Sequence, residues 1–298
     1  MSRISRRQAI ALGLTGLTLP HVAHAQASPA ASPTSRQPAT MLVDPAWVTA
    51  QGHDPTRVAF MSEKEAGPGV IPGSTRLDWP DLEVKDTTPE GLSAWVTSLT
   101  SRLPEAGILP MKPTLAYDAG SLFAARLWWV LQATGHRDAQ VLDGGLPSWT
   151  SAGNADLTAP EPGFTVDGEG MLTLDLTMIA PIADVEGAVG APDVTFIDAR
   201  APEEYAKGHI PGAVNIPYPK NARSDSPHTW LPTTDLESLY TAIPSDHTVI
   251  PYCSSGVRSA VTAFTLRLIG YERVRLFTGS WNEWSQDPAR PITTGMQP

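Results

Sequence analysis

A chain of 298 residues is long enough for two ordinary domains, and 41% hydrophobic with 17% charged residues is the balance of a globular protein with a sizeable core. The formal net charge of −10 argues against nucleic acid or an anionic membrane as the main partner, since either would be repelled. A single cysteine excludes an intramolecular disulfide framework, and the histidines beyond residue 25 (His53, His136, His209, His228 and His247) show no ligand spacing, so no metal and no cofactor are expected.

In chain order, "MSRISRRQ" is basic, "AIALGLTGLTLP" is a short apolar run, and "AHA" at 23–25 is a small-residue cleavage signal. Residues 1–25 therefore read as an export signal cleaved before Gln26. The Arg6-Arg7 pair after Ser5 resembles a twin-arginine signal; Ala9 stands where that pattern usually has Phe, so a general secretory signal stays open. The mature protein is expected outside the cytoplasm, in a bacterial periplasm, with no membrane attachment after cleavage. Residues 26–40, "QASPAASPTSRQPAT", are rich in Ala, Ser and Pro without apolar periodicity and read as a disordered linker.

The remainder is a repeat. "YDAGSLFAARLWWVLQATGHRDAQVLDGGLPSW" (117–149) aligns without a gap on "YCSSGVRSAVTAFTLRLIGYERVRLFTGSWNEW" (252–284). Tyr117 meets Tyr252, Gly135 meets Gly270, Gly144 meets Gly279 and Trp149 meets Trp284. Upstream, "VIPGSTRLDW" (70–79) matches "HIPGAVNIPY" (209–218) in the same order. Two matched pairs in one order indicate duplication: a first domain over 41–150, a turn-rich boundary around 150–164, and a second domain over 165–298.

Each copy reads as α/β. In the second, "VTFIDAR" (194–200) and "HTVIPY" are short apolar runs of buried strands, and "RSAVTAFTLRLIG" places Ala260, Val261, Phe264 and Leu268 at helical spacing, with Gly270 as its C′ stop. "RVRLF" is expected as the next strand. Strand, loop, helix, strand implies a right-handed βαβ unit in a parallel sheet. Pro251 cannot donate to a ladder and is expected at the frayed end of its strand.

Cys253 thus sits where a parallel strand stops and a helix begins, the place where open α/β sheets bind ligands. Ser254, Ser255, Gly256 and Val257 form a small-residue loop whose N–H groups can converge on an anion, and Arg258 adds a full charge. Such surroundings favour the thiolate, the reactive form. A lone cysteine is most often a small buried hydrophobe; its position, the loop and the arginine together reverse that reading.

These marks, "DARAPEEYAKGHIPGAVNIPY", "CSSGVRS" and "GSWNEW" in the second copy with "YDAGSLFAARLWW" and "VLDGGLPSW" in the first, resemble the tandem-domain rhodaneses, a sulfurtransferase family, over about residues 41–290. The resemblance implies two rhodanese-like domains, each a parallel sheet flanked by helices, with the nucleophilic Cys253 in the second. Asp118 occupies the cysteine's place in the first copy, and a carboxylate cannot form a persulfide, so that copy is expected to be structural. From Cys253 to Arg258 the loop is C-x4-R. Phosphatases of similar fold use the longer C-x5-R, so a dual-specificity phosphatase or arsenate reductase is the weaker enzymatic reading; arsenate reduction also usually wants a second cysteine.

The resemblance implies double displacement through a Cys253 persulfide, with a small-molecule sulfur donor and a thiol or cyanide acceptor. Arg258 in place of the threonine of mercaptopyruvate enzymes, and only Arg200 in "DARAPEEYAKGHIPG", favour thiosulfate over 3-mercaptopyruvate. Arg258 and Arg200 are the candidates for the donor's sulfonate, with Ser254, Ser255, Gly256 and Val257 as the cradle. An ion pair of Arg200 with Asp198, Glu203 or Glu204 is the competing reading. Asp198 and His209 are expected to be structural, and Trp281 and Trp284 to anchor the end of the sheet. A non-enzymatic exported sulfur carrier, exchanging sulfur with a partner protein, is the alternative outside enzymes.

Overall fold

A computed structural model describes residues 40–50, 55–67, 69–109, 112–163 and 172–298; the expected export signal at 1–25 and residues 26–39 of the expected linker lie outside the described residues. The first half runs β1 (Leu42–Val43), α1 (Pro45–Ala50), β2 (Thr56–Phe60), α2 (Glu63–Ala66), β3 (Ser74–Leu77), a 3-10 turn at Trp79–Leu82, α3 (Pro89–Glu105), β4 (Thr114–Tyr117), α4 (Ala124–Ala133), β5 (Ala139–Leu142) and α5 (Gly145–Ser151). The second runs α6 (Ile182–Ala188), β6 (Val194–Asp198), α7 (Pro202–Lys207), β7 (Val214–Asn215), a 3-10 turn at Tyr218–Asn221, α8 (Thr233–Leu239), β8 (Thr248–Tyr252), α9 (Val257–Leu268) and α10 (Ser280–Trp284).

The first sheet has the order β1-β5-β4-β2-β3, every pair parallel. The second has β7-β6-β8, also parallel, and single parallel bridges Val249 to Val274 and Ile179 to Leu276 carry the same order outward. The α/β architecture with parallel sheets and flanking helices is as expected, and the duplication is visible bond by bond. Tyr117 Oη accepts the Ile71 N–H at 3.0 Å, and Tyr252 Oη accepts the Ile210 N–H at 3.1 Å. An antiparallel bridge joins Val70 to Thr158, and another joins His209 to Thr293.

Two details differ from expectation for one reason. β8 does not fray at Pro251 but continues through it, pairing Pro251 with Ile197 and Tyr252 with Asp198. "RVRLF" forms no continuous strand, only bridges. Val249 exchanges two bonds with this segment, Val249 N–H to Arg273 O (2.8 Å) and Arg275 N–H to Val249 O (3.0 Å). Two residues on, Phe277 N–H reaches Pro251 O at 3.2 Å, but proline has no N–H to return to the Arg275 carbonyl. Ala116 holds the matching place in the first copy, and there β4 and β5 form a full ladder.

The two halves share one apolar core. α4 is buried on nearly all sides, and Trp128 meets Phe264 of α9 edge-on at 5.0 Å, a geometry contributing about 0.5–1.5 kcal/mol beyond area burial. Polar bonds pin the same interface. Glu283 accepts both the N–H and the hydroxyl of Thr87 at 2.7 Å, and Asp143 accepts the Trp230 N–H at 2.8 Å.

Burial pushes Asp143 up to about 6, against the Trp230 N–H that favours its charge. A carboxyl whose folded pKa exceeds its usual 3.8 binds its proton more tightly when folded, so its contribution to stability falls as pH rises between those values. Asp143→Asn removes that dependence. Relative to wild type its Tm should rise from pH 4 to pH 7, measured by calorimetry; parallel Tm–pH curves would contradict the assignment.

Candidate active site

The β8–α9 junction places Cys253 one residue beyond the strand, and Gly256 caps the helix. Gly256 has φ 86°, and a Cβ there would approach the Thr278 carbonyl oxygen to 2.5 Å, so only glycine fits this turn. Cys253 is buried, and its Sγ accepts the Gly256 N–H at 3.2 Å and the Ser259 hydroxyl at 3.5 Å.

The loop is held from outside by α10. Trp281 N–H donates to the Cys253 carbonyl and Asn282 N–H to the Ser254 carbonyl, each at 3.0 Å. The Cys253 N–H donates to Ser280 Oγ at 3.1 Å, and Ser280 in turn donates to the Phe277 carbonyl at 2.8 Å. Ser280 takes φ 57°, a strained setting for serine that these bonds hold in place. With the Cys253 and Ser254 carbonyls engaged by α10, the first-turn amides of α9, which as at any helix start have no partner within the helix, can serve an anion.

Arg258 stands on that first turn, half-buried. It donates to both Glu204 oxygens at 2.7 and 2.9 Å and to Ser254 Oγ at 2.6 Å. The hydrogen bonds from Arg258 hold Glu204 down at about 2, and the same pairing raises Arg258. Ser254 is therefore a brace for Arg258. Ser255 is partly exposed at the loop tip and Val257 is buried beneath it.

Arg200 is placed differently from the substrate reading. It is 3% exposed, binds Asp198 through Nε (3.0 Å) and Nη2 (2.6 Å), donates to the Gly208 carbonyl at 2.7 Å, and lies 4.5 Å over the Trp281 ring. Its Nε and Nη2 donors are spent on structure, so the geometry favours the competing ion-pair reading, with Asp198 as the partner. His209 is buried, stacked on Tyr205 at 3.7 Å, with Nδ1 3.0 Å from the Tyr205 carbonyl, a turn-bracing role.

The first copy supplies an internal control. Asp118 accepts the N–H groups of Gly120 (2.7 Å), Ser121 (3.0 Å) and Ala124 (2.7 Å), so a carboxylate fills the cradle that holds sulfur in the second copy. Burial pushes its pKa up, and these N–H groups oppose the shift. Asp118→Ala should keep more than half of the activity per folded molecule while lowering Tm, because three N–H groups, that of Ala124 buried and those of Gly120 and Ser121 partly so, lose their acceptor. Complete inactivity in folded protein would contradict a structural role.

Several contributors were not foreseen. Glu204 sets Arg258; Ser259, Thr278 and Ser280 hold the sulfur and its loop; Tyr218 packs its ring 5.8 Å from Phe123 of the first half, and burial raises its hydroxyl pKa, with Arg258 opposing and Asp118 and Cys253 reinforcing. Glu204 accepts the N–H of Ala201, three residues before it, at 3.2 Å, but nothing in the sequence points Glu204 at Arg258.

Comparison with known proteins follows the same lines. A family model described as "Rhodanese-like domain" matches residues 57–152 and again 182–287. A thiosulfate sulfurtransferase of Azotobacter vinelandii is 32% identical over 240 residues, covering 75% of this chain and 85% of that protein. A mitochondrial thiosulfate/3-mercaptopyruvate sulfurtransferase of Arabidopsis thaliana is 30% identical over 246 residues (68% and 64%), and the sulfur carrier protein TtuD of Thermus thermophilus is 29% identical over 291 (86% and 98%). Among solved structures, an EanB variant bearing a cysteine persulfide, in a tetrahedral intermediate state with ergothioneine, superposes with a TM-score of 0.74 at 26% identity, covering 86% of this chain and 70% of that one.

Proposed function

Because the chain belongs to the tandem-domain rhodanese-like sulfurtransferases, we propose that it transfers the outer sulfur of thiosulfate through a persulfide on Cys253. The Cys253 thiolate attacks the outer sulfur, the S–S bond of thiosulfate breaks, and its electron pair leaves with sulfite. A thiolate or cyanide then attacks the persulfide sulfur, and the Cys253 thiolate is restored. The observation that carries this reading is the Cys253 sulfur at the head of α9, accepting the Gly256 N–H, with Arg258 on the next turn. Thiosulfate is a dianion, and its sulfonate needs positive charge close to the attacked sulfur; both arginines are ion-paired, Arg200 buried on Asp198 and Arg258 on the more exposed Glu204, and the more accessible Arg258 on the first turn of α9 is the one assigned to the sulfonate.

The test is steady-state turnover of purified protein with thiosulfate and with 3-mercaptopyruvate, each with cyanide. Higher kcat/KM for thiosulfate is expected; preference for 3-mercaptopyruvate overturns the donor assignment. A single stoichiometric loading without turnover would instead favour the sulfur-carrier reading, to which the likeness to TtuD lends support. Export is part of the same proposal and rests on residues 1–25; N-terminal sequencing of protein recovered outside the cytoplasm should begin at Gln26.

A further inference from the structure

A fully buried cation of the first half lies against the sulfur loop of the second. Arg126 of α4 is 0% exposed. Its Nη2 donates to the Leu82 carbonyl at 2.7 Å, its Nη1 donates to the Thr278 hydroxyl at 2.8 Å, and its guanidinium lies 4.7 Å from the centre of the Trp129 ring. Among the described residues no carboxylate forms an ion pair with it, and its Nε has no hydrogen-bond partner. Burial lowers its pKa to about 10, and the charges opposing that shift are Cys253 first and Glu83 second. A buried cation without a paired anion is costly, and a thiolate formed at Cys253 would be a negative charge able to offset it.

The contact is also mechanical. Thr278, which receives the Arg126 bond, is the residue against which Gly256 is seated, since a Cβ at Gly256 would lie 2.5 Å from the Thr278 carbonyl oxygen and 3.0 Å from its hydroxyl. Gly256 in turn donates its N–H to Cys253 Sγ. The series Arg126, Thr278, Gly256, Cys253 therefore runs from the core of one domain to the sulfur of the other.

We propose that Arg126 is a positioning residue for sulfur transfer: held on Thr278, it fixes the Gly256 turn and favours the anionic form of Cys253 from across the domain interface. The inference rests on Cys253 being the nucleophile. It gives the first domain, which has no cysteine of its own, a part in the chemistry. The other groups facing the sulfur are Arg258 from α9, already paired with Glu204, and the Tyr218 hydroxyl from the turn after β7.

The test uses the full chain. The pH profile of Cys253 alkylation by iodoacetamide is measured beside steady-state transfer from thiosulfate to cyanide. Arg126→Gln keeps a donor for Thr278 and removes the charge, and Arg126→Lys restores a charge. The Gln variant should shift the alkylation profile about one pH unit to the alkaline side, which lowers the rate near neutrality about tenfold, and the Lys variant should recover most of it. A folded Gln variant with the wild-type profile overturns the proposal. If the Gln variant does not fold, Thr278→Val decides, because it cuts the link and leaves the charge. A loss of about threefold or more in alkylation and transfer supports the proposal, and wild-type values in both overturn it. A profile that moves with Arg126 in a protein showing no sulfur transfer would count against the proposed activity while leaving this inference standing.

Discussion

Cys253→Ser should reduce turnover with thiosulfate and cyanide by roughly a thousandfold or more. A serine hydroxyl is a poor nucleophile at neutral pH and cannot form a persulfide. The substitution should leave the fold intact. The buried site already offers a serine hydroxyl two donors, the Gly256 N–H and the Ser259 hydroxyl, so the new polar atom is not stranded. The variant should therefore show the wild-type circular dichroism spectrum and a Tm within a few degrees, with no transfer. Mass spectrometry adds a direct check: wild type treated with thiosulfate should gain one sulfur, and the serine form none. Near wild-type turnover in the serine form would remove Cys253 from the mechanism.

The position of that cysteine was legible because it follows from local patterns. An apolar run ending at Tyr252, small residues through Gly256, and helical spacing from Ala260 specify a strand, a tight turn and a helix, whichever tertiary context surrounds them. The duplication was legible too, because identical glycine and tryptophan offsets survive in both copies. Pro251 was misjudged because its missing N–H matters only to the neighbour on one side. The ladder to β6 runs through it undisturbed, while the segment at 274–277 loses its partner. Arg200 was ambiguous for a similar reason. Its spacing from Asp198 permits an ion pair, but only the fold shows Trp281 and the Gly208 carbonyl closing around the guanidinium. Arg126 was not legible at all. In "AARLWWVLQA" it looks like the polar edge of a core helix, and its partner Thr278 belongs to the other half of the chain.

Arg258→Thr should lower kcat/KM for thiosulfate by about 10- to 100-fold, the effect of losing one charge-assisted hydrogen bond of roughly 1.5–3 kcal/mol. The structure adds a second consequence. Arg258 neutralises Glu204, which it holds at about 2. Without the arginine, Glu204 loses its two strongest donors, its pKa returns toward the usual 4.5, and at neutral pH it stands unpaired beside the loop. An anionic donor then meets a bare carboxylate where it should meet a cation. Part of the loss is repulsion, and it should be relieved by a second change. Arg258→Thr combined with Glu204→Gln should recover about three- to tenfold of the lost efficiency, if the exposed carboxylate costs about 1 kcal/mol. Glu204→Gln alone leaves the arginine charge unpaired and should lower KM for thiosulfate, provided Ser254 still braces the guanidinium. Both donors are measured on wild type, the two single variants and the double variant. Unchanged thiosulfate efficiency in Arg258→Thr would show that the sulfonate is held elsewhere. A double variant no better than Arg258→Thr would show that Glu204 contributes no repulsion, and the whole loss would then belong to the missing arginine contact.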